Sequence, residues 1–376
     1  MQPLRSIIAA PWQYNEGMPN QSTDTYIANS KELMIADIAA LVKFPSINGH
    51  KQQTKACLEY FLHKAESFGF KTMHTSGWEV GIVEMGQGDE TLGILVHLDV
   101  VAIGDRAKWT HDPFDMQQRD GFLWGRGTED DKGGVIMSLY AMQAVAQLGL
   151  PMRRKVWLIV GTSEESQWTD IEVFKREFPQ PDFGFSPDGM FPIFNIEKGY
   201  ADLLLTFKSD SLKGIQRLQG GESPNTVPSV AAMVLADGRH FEAQGVSTHS
   251  SIPEEGDNAI IKLCGQLGAA GEEFDFARFV NNCLQHGGCA PALKIDDGVD
   301  TLEGETIGLT TVTPTVVNIE PDGVKLTINI RNKFGTTKAE ILRAFEAQSA
   351  KYAYGITVLD YLDPMRVSRK LPFLKV

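Results

Sequence analysis

The stretch Leu92-Gly-Ile-Leu-Val-His-Leu-Asp99 decides the fold class of this chain. Its first five residues form a short apolar run, which is typical of a strand that is covered on both faces of a sheet. Similar runs lie at residues 156–160 and 183–185, and helical patterns at residues 132–148 and 171–178 separate the three runs. This alternation predicts an α/β fold with a mostly parallel sheet and helices on both faces.

Side chains that can bind a metal ion follow each of the three predicted strands. A further acidic pair stands where a long loop turns into the helix at residues 132–148. These residues are His97 and Asp99, Glu164 and Glu165, Asp188, and Asp130 with Asp131. Because open α/β sheets bind ligands at the carboxyl ends of their strands, we expect the side chains to converge there. Each has an ordinary alternative, such as a helix N-cap at Asp130 or Asp131 or a turn residue at Asp188.

The spacing of these residues suits a hydrolytic metal centre. In an extended segment residues two apart share a face, so Asp99 lies behind His97 and orients its imidazole. Glu164 and Glu165 are neighbours that point in different directions, so one can bind metal while the other accepts a proton as general base. A His, Asp and Glu ligand set without cysteine favours zinc, with manganese or cobalt as alternatives.

The composition argues against several other classes of protein. A length of 376 residues is enough for two domains. The formal net charge is −13 and Lys and Arg form no block, so neither a nucleic acid nor an anionic membrane surface is an expected partner. The four cysteines are sparse and favour a reducing compartment, and no apolar stretch approaches the roughly 20 residues of a membrane span. We therefore expect a cytoplasmic protein, and the oligomeric state stays open.

The pattern of predicted elements changes after Gly199. Strands and helices alternate less regularly from there, which is typical of an α+β domain, and residues 361–370 are predicted as loop. We expect a first, metal-binding domain at residues 1–199, an α+β second domain at residues 200–355, and a further segment at residues 356–376.

Four motifs of the chain resemble the co-catalytic zinc peptidases, the family that includes aminoacylases, carboxypeptidases and dipeptidases. The motifs are His97-Leu-Asp99, Trp124-Gly-Arg-Gly-Thr-Glu-Asp-Asp-Lys-Gly133, Gly161-Thr-Ser-Glu-Glu165, and Phe185-Ser-Pro-Asp-Gly189 with Glu197-Lys-Gly199 behind it. Their form is most similar to bacterial dipeptidases of the PepV type, and the similarity extends from about residue 30 to the last residue.

The resemblance implies a role for each candidate residue. Asp130 would bridge two zinc ions, His97 and Asp188 would complete one site, and Glu165 would belong to the other. Asp99 would orient His97. Glu164 would be the general base that deprotonates the attacking water.

The resemblance also implies that residues 200–355 form an inserted lid domain and that residues 356–376 return to the catalytic domain, whose N-terminal part is residues 1–199. The lid would carry the substrate-binding residues. The stretch Val246-Ser-Thr-His-Ser250 is similar to the lid motif whose His helps to hold the oxyanion, which makes His249 the candidate. Asn225 resembles the lid Asn. Arg331, in Asn329-Ile-Arg331, resembles the Arg that binds the terminal carboxylate of the substrate.

One ligand of the family has no counterpart in this chain. The family supplies a His for the second metal from a segment after the lid, whereas the last histidine here is His286. The resemblance thus implies that the C-terminal part of the catalytic domain is missing and that the second site lacks its His. We expect a metal-dependent dipeptidase with a small peptide substrate. The alternatives are a deacylase of N-acyl amino acids or a carboxypeptidase, or an inactive chain that keeps the fold.

Overall fold

The computed structural model describes residues 22–149, 151–189, 193–296 and 298–371. Two compact units divide the chain, and the division falls between residues 189 and 193. None of the helices in the described ranges combines the length and the apolar character that a bilayer crossing requires.

Within the described residues, the first unit contains four α-helices and seven strands. The helices are α1 (Thr23–Val42), α2 (Lys51–Ser67), α3 (Lys132–Gln147) and α4 (Thr169–Glu177). The strands are β1 (Lys71–His74), β2 (Gly81–Gly86), β3 (Thr91–His97), β4 (Gln117–Arg119), β5 (Phe122–Trp124), β6 (Lys155–Gly161) and β7 (Phe183–Phe185).

Five of these strands form a mixed sheet in the order β1-β2-β6-β3-β7. Strand β3 is parallel to both β6 and β7, whereas β1 pairs antiparallel with β2 and β2 pairs antiparallel with β6. The part of the sheet formed by β6, β3 and β7, where the metal-binding side chains were expected, is therefore parallel. Its other half is antiparallel, because a turn at residues 75–80 joins β1 to β2 as a hairpin.

Helices cover both faces of this sheet. Buried residues of α1, α2 and α3 pack with Ile94 and Val96 of β3 on one face, and Phe174 of α4 packs with Ile159 of β6 on the other. The Ser22 side chain caps helix α1 by accepting a hydrogen bond from the Thr25 amide (3.2 Å).

The described part of the second unit contains three α-helices and eleven strands. The helices are α5 (Ala259–Ala269), α6 (Asp275–Cys283) and α7 (Lys338–Tyr352). The longer strands are β9 (Gly199–Phe207), β10 (Ile215–Gly220), β11 (Val230–Leu235), β12 (His240–Gln244), β15 (Thr311–Glu320), β16 (Gly323–Asn332) and β17 (Tyr354–Leu362). The short strands are β8 (Ile196–Glu197), β13 (Thr301–Leu302), β14 (Glu305–Thr306) and β18 (Met365–Arg366).

The seven longer strands form one antiparallel sheet in the order β12-β11-β10-β15-β16-β9-β17. Residues along β9 are alternately buried and half-buried, so one face of the sheet carries the core and the other carries polar side chains. The three helices contribute Leu263, Phe279 and Phe345 to that core.

The second unit extends beyond the residues that the sequence assigns to the lid. Strand β8 pairs with β18, so residues before 200 belong to this unit, and β17 continues the large sheet to Leu362. A register shift between Val358 and Asp360 breaks the two-residue alternation of β17, which explains why the pattern past residue 360 predicts a loop. Residues 372–376 of the predicted return segment lie outside the described residues.

Candidate metal centre

His97 and the carboxylate groups of Asp130, Glu164 and Asp188 meet at one edge of the first sheet. The His97 ring is 2% exposed, and its Nε2 lies 2.9 Å from Asp130 Oδ1, 3.3 Å from Asp188 Oδ2 and 3.8 Å from Glu164 Oε2. Ligand atoms of His97, Glu164 and Asp188 all lie within 4.8 Å of one another. The structure thus brings together side chains that are far apart in sequence, since 91 positions separate His97 from Asp188.

The parallel pairing of β6, β3 and β7 explains this convergence. His97 is the last residue of β3, Glu164 follows the end of β6 at Gly161, and Asp188 follows the end of β7 at Phe185. Because these strands run in the same direction, their carboxyl ends lie at the same edge.

Asp99 fixes the His97 ring and the segment that carries the two glutamates. His97 Nδ1 lies 2.9 Å from the Asp99 carbonyl oxygen and 3.5 Å from its carboxylate. The buried carboxylate of Asp99 accepts hydrogen bonds from the backbone amides of Glu164 (3.2 Å) and Glu165 (3.1 Å) and from Asn48 Nδ2 (2.9 Å). Asp99 is therefore placed to support the imidazole and to hold the Glu164–Glu165 segment at the same time.

The tautomer of His97 indicates a cation at this edge. A carbonyl oxygen only accepts hydrogen bonds, so Nδ1 carries a proton towards Asp99. Nε2 then faces Asp130, Asp188 and Glu164, and this contact is favourable only if a proton or a metal ion lies between them.

The pKa values report an excess of negative charge at this edge. Burial raises the pKa of Glu164 to about 7, and the carboxylates of Asp188 and Glu165 act in the same direction. Burial alone lowers the pKa of His97, but its hydrogen bonds with Asp130 and Asp188 outweigh burial and raise it. This set of one imidazole and several carboxylates fits a divalent cation.

Asp131 has a function that the sequence alone did not assign. Its buried Oδ2 accepts a hydrogen bond from the His97 amide (3.1 Å), and burial raises its pKa to about 8. Asp131 occupies the N-cap position of α3, as the helix-cap alternative expects, but its side chain makes no capping hydrogen bond there and bonds the His97 amide instead. No pattern in the sequence reveals that a side chain before α3 reaches the end of β3, and the same holds for Asn48.

Glu165 lies beside the trio of His97, Glu164 and Asp188 without being part of it. Burial and the Asp130 carboxylate raise the pKa of Glu165. Within the described residues, the trio is the one group whose ligand atoms are close enough to hold an ion. The assignment of Glu165 to a second metal and of Glu164 to proton transfer thus stays a prediction.

The three predicted substrate-binding residues come together in the second unit. The backbone of Thr226 pairs with His249, and the Asn225 carbonyl accepts a hydrogen bond from the Ser250 amide (2.9 Å). The Ser250 hydroxyl in turn accepts a hydrogen bond from Nη2 of Arg331 (3.4 Å).

The surroundings of His249 favour its neutral form, and hydrogen bonds orient the Asn225 side chain. Burial and the charge of Arg331 lower the pKa of His249, which favours a neutral imidazole, and its Nδ1 lies 2.6 Å from the Ser251 hydroxyl. Asn225 Oδ1 accepts hydrogen bonds from Ser223 and Thr226. A neutral imidazole can still donate from the nitrogen that does not bond Ser251.

The chain matches two family models. Residues 93–190 match peptidase family M20/M25/M40, and residues 236–357 match a peptidase dimerisation domain. A Bacillus subtilis (strain 168) protein with a provisional dipeptidase name, YtjP, is 31% identical over 357 residues, which cover 85% of this chain and 75% of that protein. A Beta-Ala-Xaa dipeptidase from Lactobacillus delbrueckii subsp. lactis is 31% identical over 238 residues, which cover 60% of this chain and 50% of that protein.

Solved structures show the same fold at low sequence identity. The di-peptidase Dug1p from Saccharomyces cerevisiae superposes with a TM-score of 0.59 at 11% identity, covering 94% of this chain and 82% of that one. Human carnosine dipeptidase 1 gives a TM-score of 0.56 at 14% identity, covering 92% and 81%.

The fold and these matches define a metallopeptidase. The chain belongs to peptidase family M20/M25/M40, which depends on metal ions and hydrolyses peptides. The family confirms the resemblance in the motifs, and the α/β unit with a separate sheet-rich unit confirms the predicted fold class.

Replacement of Asp99 is expected to weaken metal binding. Three donors bond the Asp99 carboxylate: the backbone amides of Glu164 and Glu165 and the side chain of Asn48. In Asp99→Asn an NH2 group, which cannot accept, replaces one carboxylate oxygen, so one hydrogen bond is lost. Outer partners of metal ligands typically change the metal affinity by roughly 10- to 100-fold. Competition with a chromogenic chelator measures this affinity. The exposed Asp105→Asn is the matched control, and equal affinities in both variants would contradict the role of Asp99.

Proposed function

We propose that this chain hydrolyses the amide bond of dipeptides with the help of a bound metal ion, most simply zinc, with manganese or cobalt as alternatives. The convergence of Asp130, Glu164 and Asp188 on the buried His97 carries the proposal. The dipeptidase names of the relatives from Bacillus and Lactobacillus support the substrate class.

His97, Asp130 and Asp188 would hold the ion, together with Glu165 if a second ion binds. When bound, the metal supplies Lewis-acid chemistry, lowering the pKa of a water molecule and polarising the amide carbonyl. Glu164 would accept the proton of that water and deliver it to the leaving amine nitrogen. Burial raises the pKa of Glu164, which favours uptake of that proton near neutral pH.

For the second unit we propose binding of the peptide by three residues. Arg331 would receive the terminal carboxylate, since a guanidinium forms two parallel hydrogen bonds with it. His249, held neutral beside Arg331, would donate a hydrogen bond to an oxyanion, and Asn225 would contribute its amide group.

The cysteines support a reducing compartment. Cys57, Cys264 and Cys283 are buried thiols and Cys289 is an exposed one, and none forms a disulfide. We propose a cytoplasmic location on this basis.

A substrate panel tests the proposal. With zinc or manganese added, we expect dipeptides with a free amino group to be cleaved at least about 10-fold more efficiently than N-acetylated amino acids. The reason is that the carboxylates of Asp130, Glu164, Glu165 and Asp188 carry more negative charge than one divalent ion compensates, which favours a substrate with an ammonium group over a neutral acyl group. Values of kcat/KM for both classes are the measurement. Preference for N-acetyl substrates would favour a deacylase, and metal binding without any hydrolysis would favour a non-catalytic chain.

A further inference from the structure

Two adjacent rows of side chains cross the polar face of the seven-stranded sheet in the second unit. The first row runs from Thr313 through Asn329 and Asp202 to Asp360, and the second from Thr311 through Arg331 and Tyr200 to Leu362. Side chains at such directly opposed positions lie close enough to bond across the strands. The rows therefore place Arg331 among polar neighbours that can fix its orientation.

Asn329 links a buried carboxylate to the Arg331 guanidinium. Its side chain is 2% exposed, its Nδ2 donates to Asp202 Oδ1 (2.6 Å), and its Oδ1 accepts from Arg331 Nε (3.1 Å). Arg331 Nη2 donates to the Ser250 hydroxyl (3.4 Å), and the guanidinium lies over the Tyr200 ring at 5.4 Å from its centre.

The chemistry of the partners fixes the orientation of the Asn329 amide. An ionised carboxylate accepts hydrogen bonds only, and Arg331 Nε donates only. If the amide were flipped, its oxygen would face the Asp202 carboxylate and its NH2 group would face the Nε–H of Arg331, and both hydrogen bonds would be lost. The Asp202 carboxylate therefore orients the Asn329 amide so that its Oδ1, a hydrogen-bond acceptor, faces Arg331 Nε.

Asp202 counters the charge of Arg331 without occupying its hydrogen-bonding edge. Among the described residues, no carboxylate lies within 4.0 Å of the guanidinium nitrogens. Two of the five N–H groups bond Asn329 and Ser250, so three remain on the Nη atoms. A carboxylate bonded directly to Arg331 would fill the fork that a ligand needs, whereas one that acts through Asn329 leaves it open.

We propose that Asp202 is a positioning residue for a carboxylate-binding subsite at Arg331, acting through the amide of Asn329. The inference rests on the proposed binding of the substrate carboxylate by Arg331. The ligand class is a peptide or amino acid with a free α-carboxylate. Neither Asp202 nor Asn329 need touch the ligand.

Steady-state kinetics of Asp202→Asn test the proposal. The variant keeps the shape of the side chain but accepts either orientation of the Asn329 amide. We expect KM for a dipeptide to rise about tenfold and kcat to change less than about twofold, because the variant weakens binding of the substrate and of its transition state equally. For the same dipeptide with a C-terminal amide, KM should stay within about twofold of the wild-type value, because that substrate offers no carboxylate to the fork.

Two further variants separate positioning from a general structural effect. Asp360→Asn removes a carboxylate from the same row that bonds the Tyr200 hydroxyl (2.8 Å) instead of Asn329, and it should raise KM for the dipeptide much less than Asp202→Asn does. Asn329→Ala should raise KM as Asp202→Asn does, and the double variant should be no worse than Asn329→Ala, since both act through one bond to Arg331. Equal losses for dipeptide and amide, additive losses, or an Asp360 effect of the same size would overturn the proposal.

A measurement on the unliganded protein does not depend on catalysis. The Nε–H proton of Arg331, identified by its loss in Arg331→Lys, should exchange with solvent more slowly in the wild type than in Asp202→Asn. If the wild type cleaves no dipeptide, the proposed function fails. The exchange rates still test the role of Asp202, because equal rates in the wild type and in Asp202→Asn would show that Asp202 does not hold the Arg331 side chain in place.

Discussion

Glu164→Gln is expected to lower kcat for dipeptide hydrolysis by a factor of about 10²–10⁴ while the protein keeps its metal. The amide has the shape of the carboxylate but cannot accept the proton of the attacking water. The Asp99 carboxylate bonds the backbone amide of Glu164 rather than its side chain, so the segment should stay in place. Parallel measurements of kcat and of metal content by elemental analysis test both parts.

Glu165→Gln is the matched control, since the two residues are neighbours whose backbone amides bond the same Asp99 carboxylate. We expect the Glu165 variant to lose metal affinity, because the residue is predicted to bind a second ion. The trio of His97, Glu164 and Asp188 makes this comparison informative, since Glu164 is close enough to bind metal itself. Loss of metal from Glu164→Gln and retention by Glu165→Gln would show that the two roles are exchanged.

His97→Ala is expected to remove the metal and to lower kcat/KM by at least about 10³-fold. His97 is the one imidazole in the cluster, and its Nε2 lies within 3.8 Å of Asp130, Asp188 and Glu164. Without it, the remaining ligands are carboxylates, which suit zinc less well than a set that includes nitrogen.

The exposed His240→Ala serves as the control for His97→Ala, because His240 lies on β12 in the second unit. Elemental analysis and kcat/KM should show no change in that variant. Circular dichroism should confirm that His97→Ala is folded. A folded His97→Ala protein that still held one metal per chain and cleaved dipeptides would exclude His97 as a ligand.

Local patterns in the sequence were sufficient for most of the first unit. The apolar runs coincide with β3, β6 and β7, and the helical pattern at residues 132–148 matches α3 (Lys132–Gln147). These elements follow from periodicity and from turn residues, which are local properties. The end of each parallel strand then places His97, Glu164 and Asp188 at one edge.

Elements whose periodicity is interrupted were not predicted correctly. Strand β17 has a register shift at Val358, so its alternation fails although nine residues join the sheet beside β9. Likewise, β8 is only two residues long and exists because β18 pairs with it from far along the chain. Such strands are stabilised by their partners, and the partners cannot be read from local sequence.

The fold class, the metal-binding residue types and the strand ends at which they lie can be read from the chain, because they depend on periodicity and on order along it. The contacts of Asp131 and Asn48 beside His97, and the link from Asp202 through Asn329 to Arg331, became visible only in the folded molecule. Those contacts depend on which buried donor meets which acceptor across strands. That pairing is set by the packing of distant segments, which local sequence patterns do not encode.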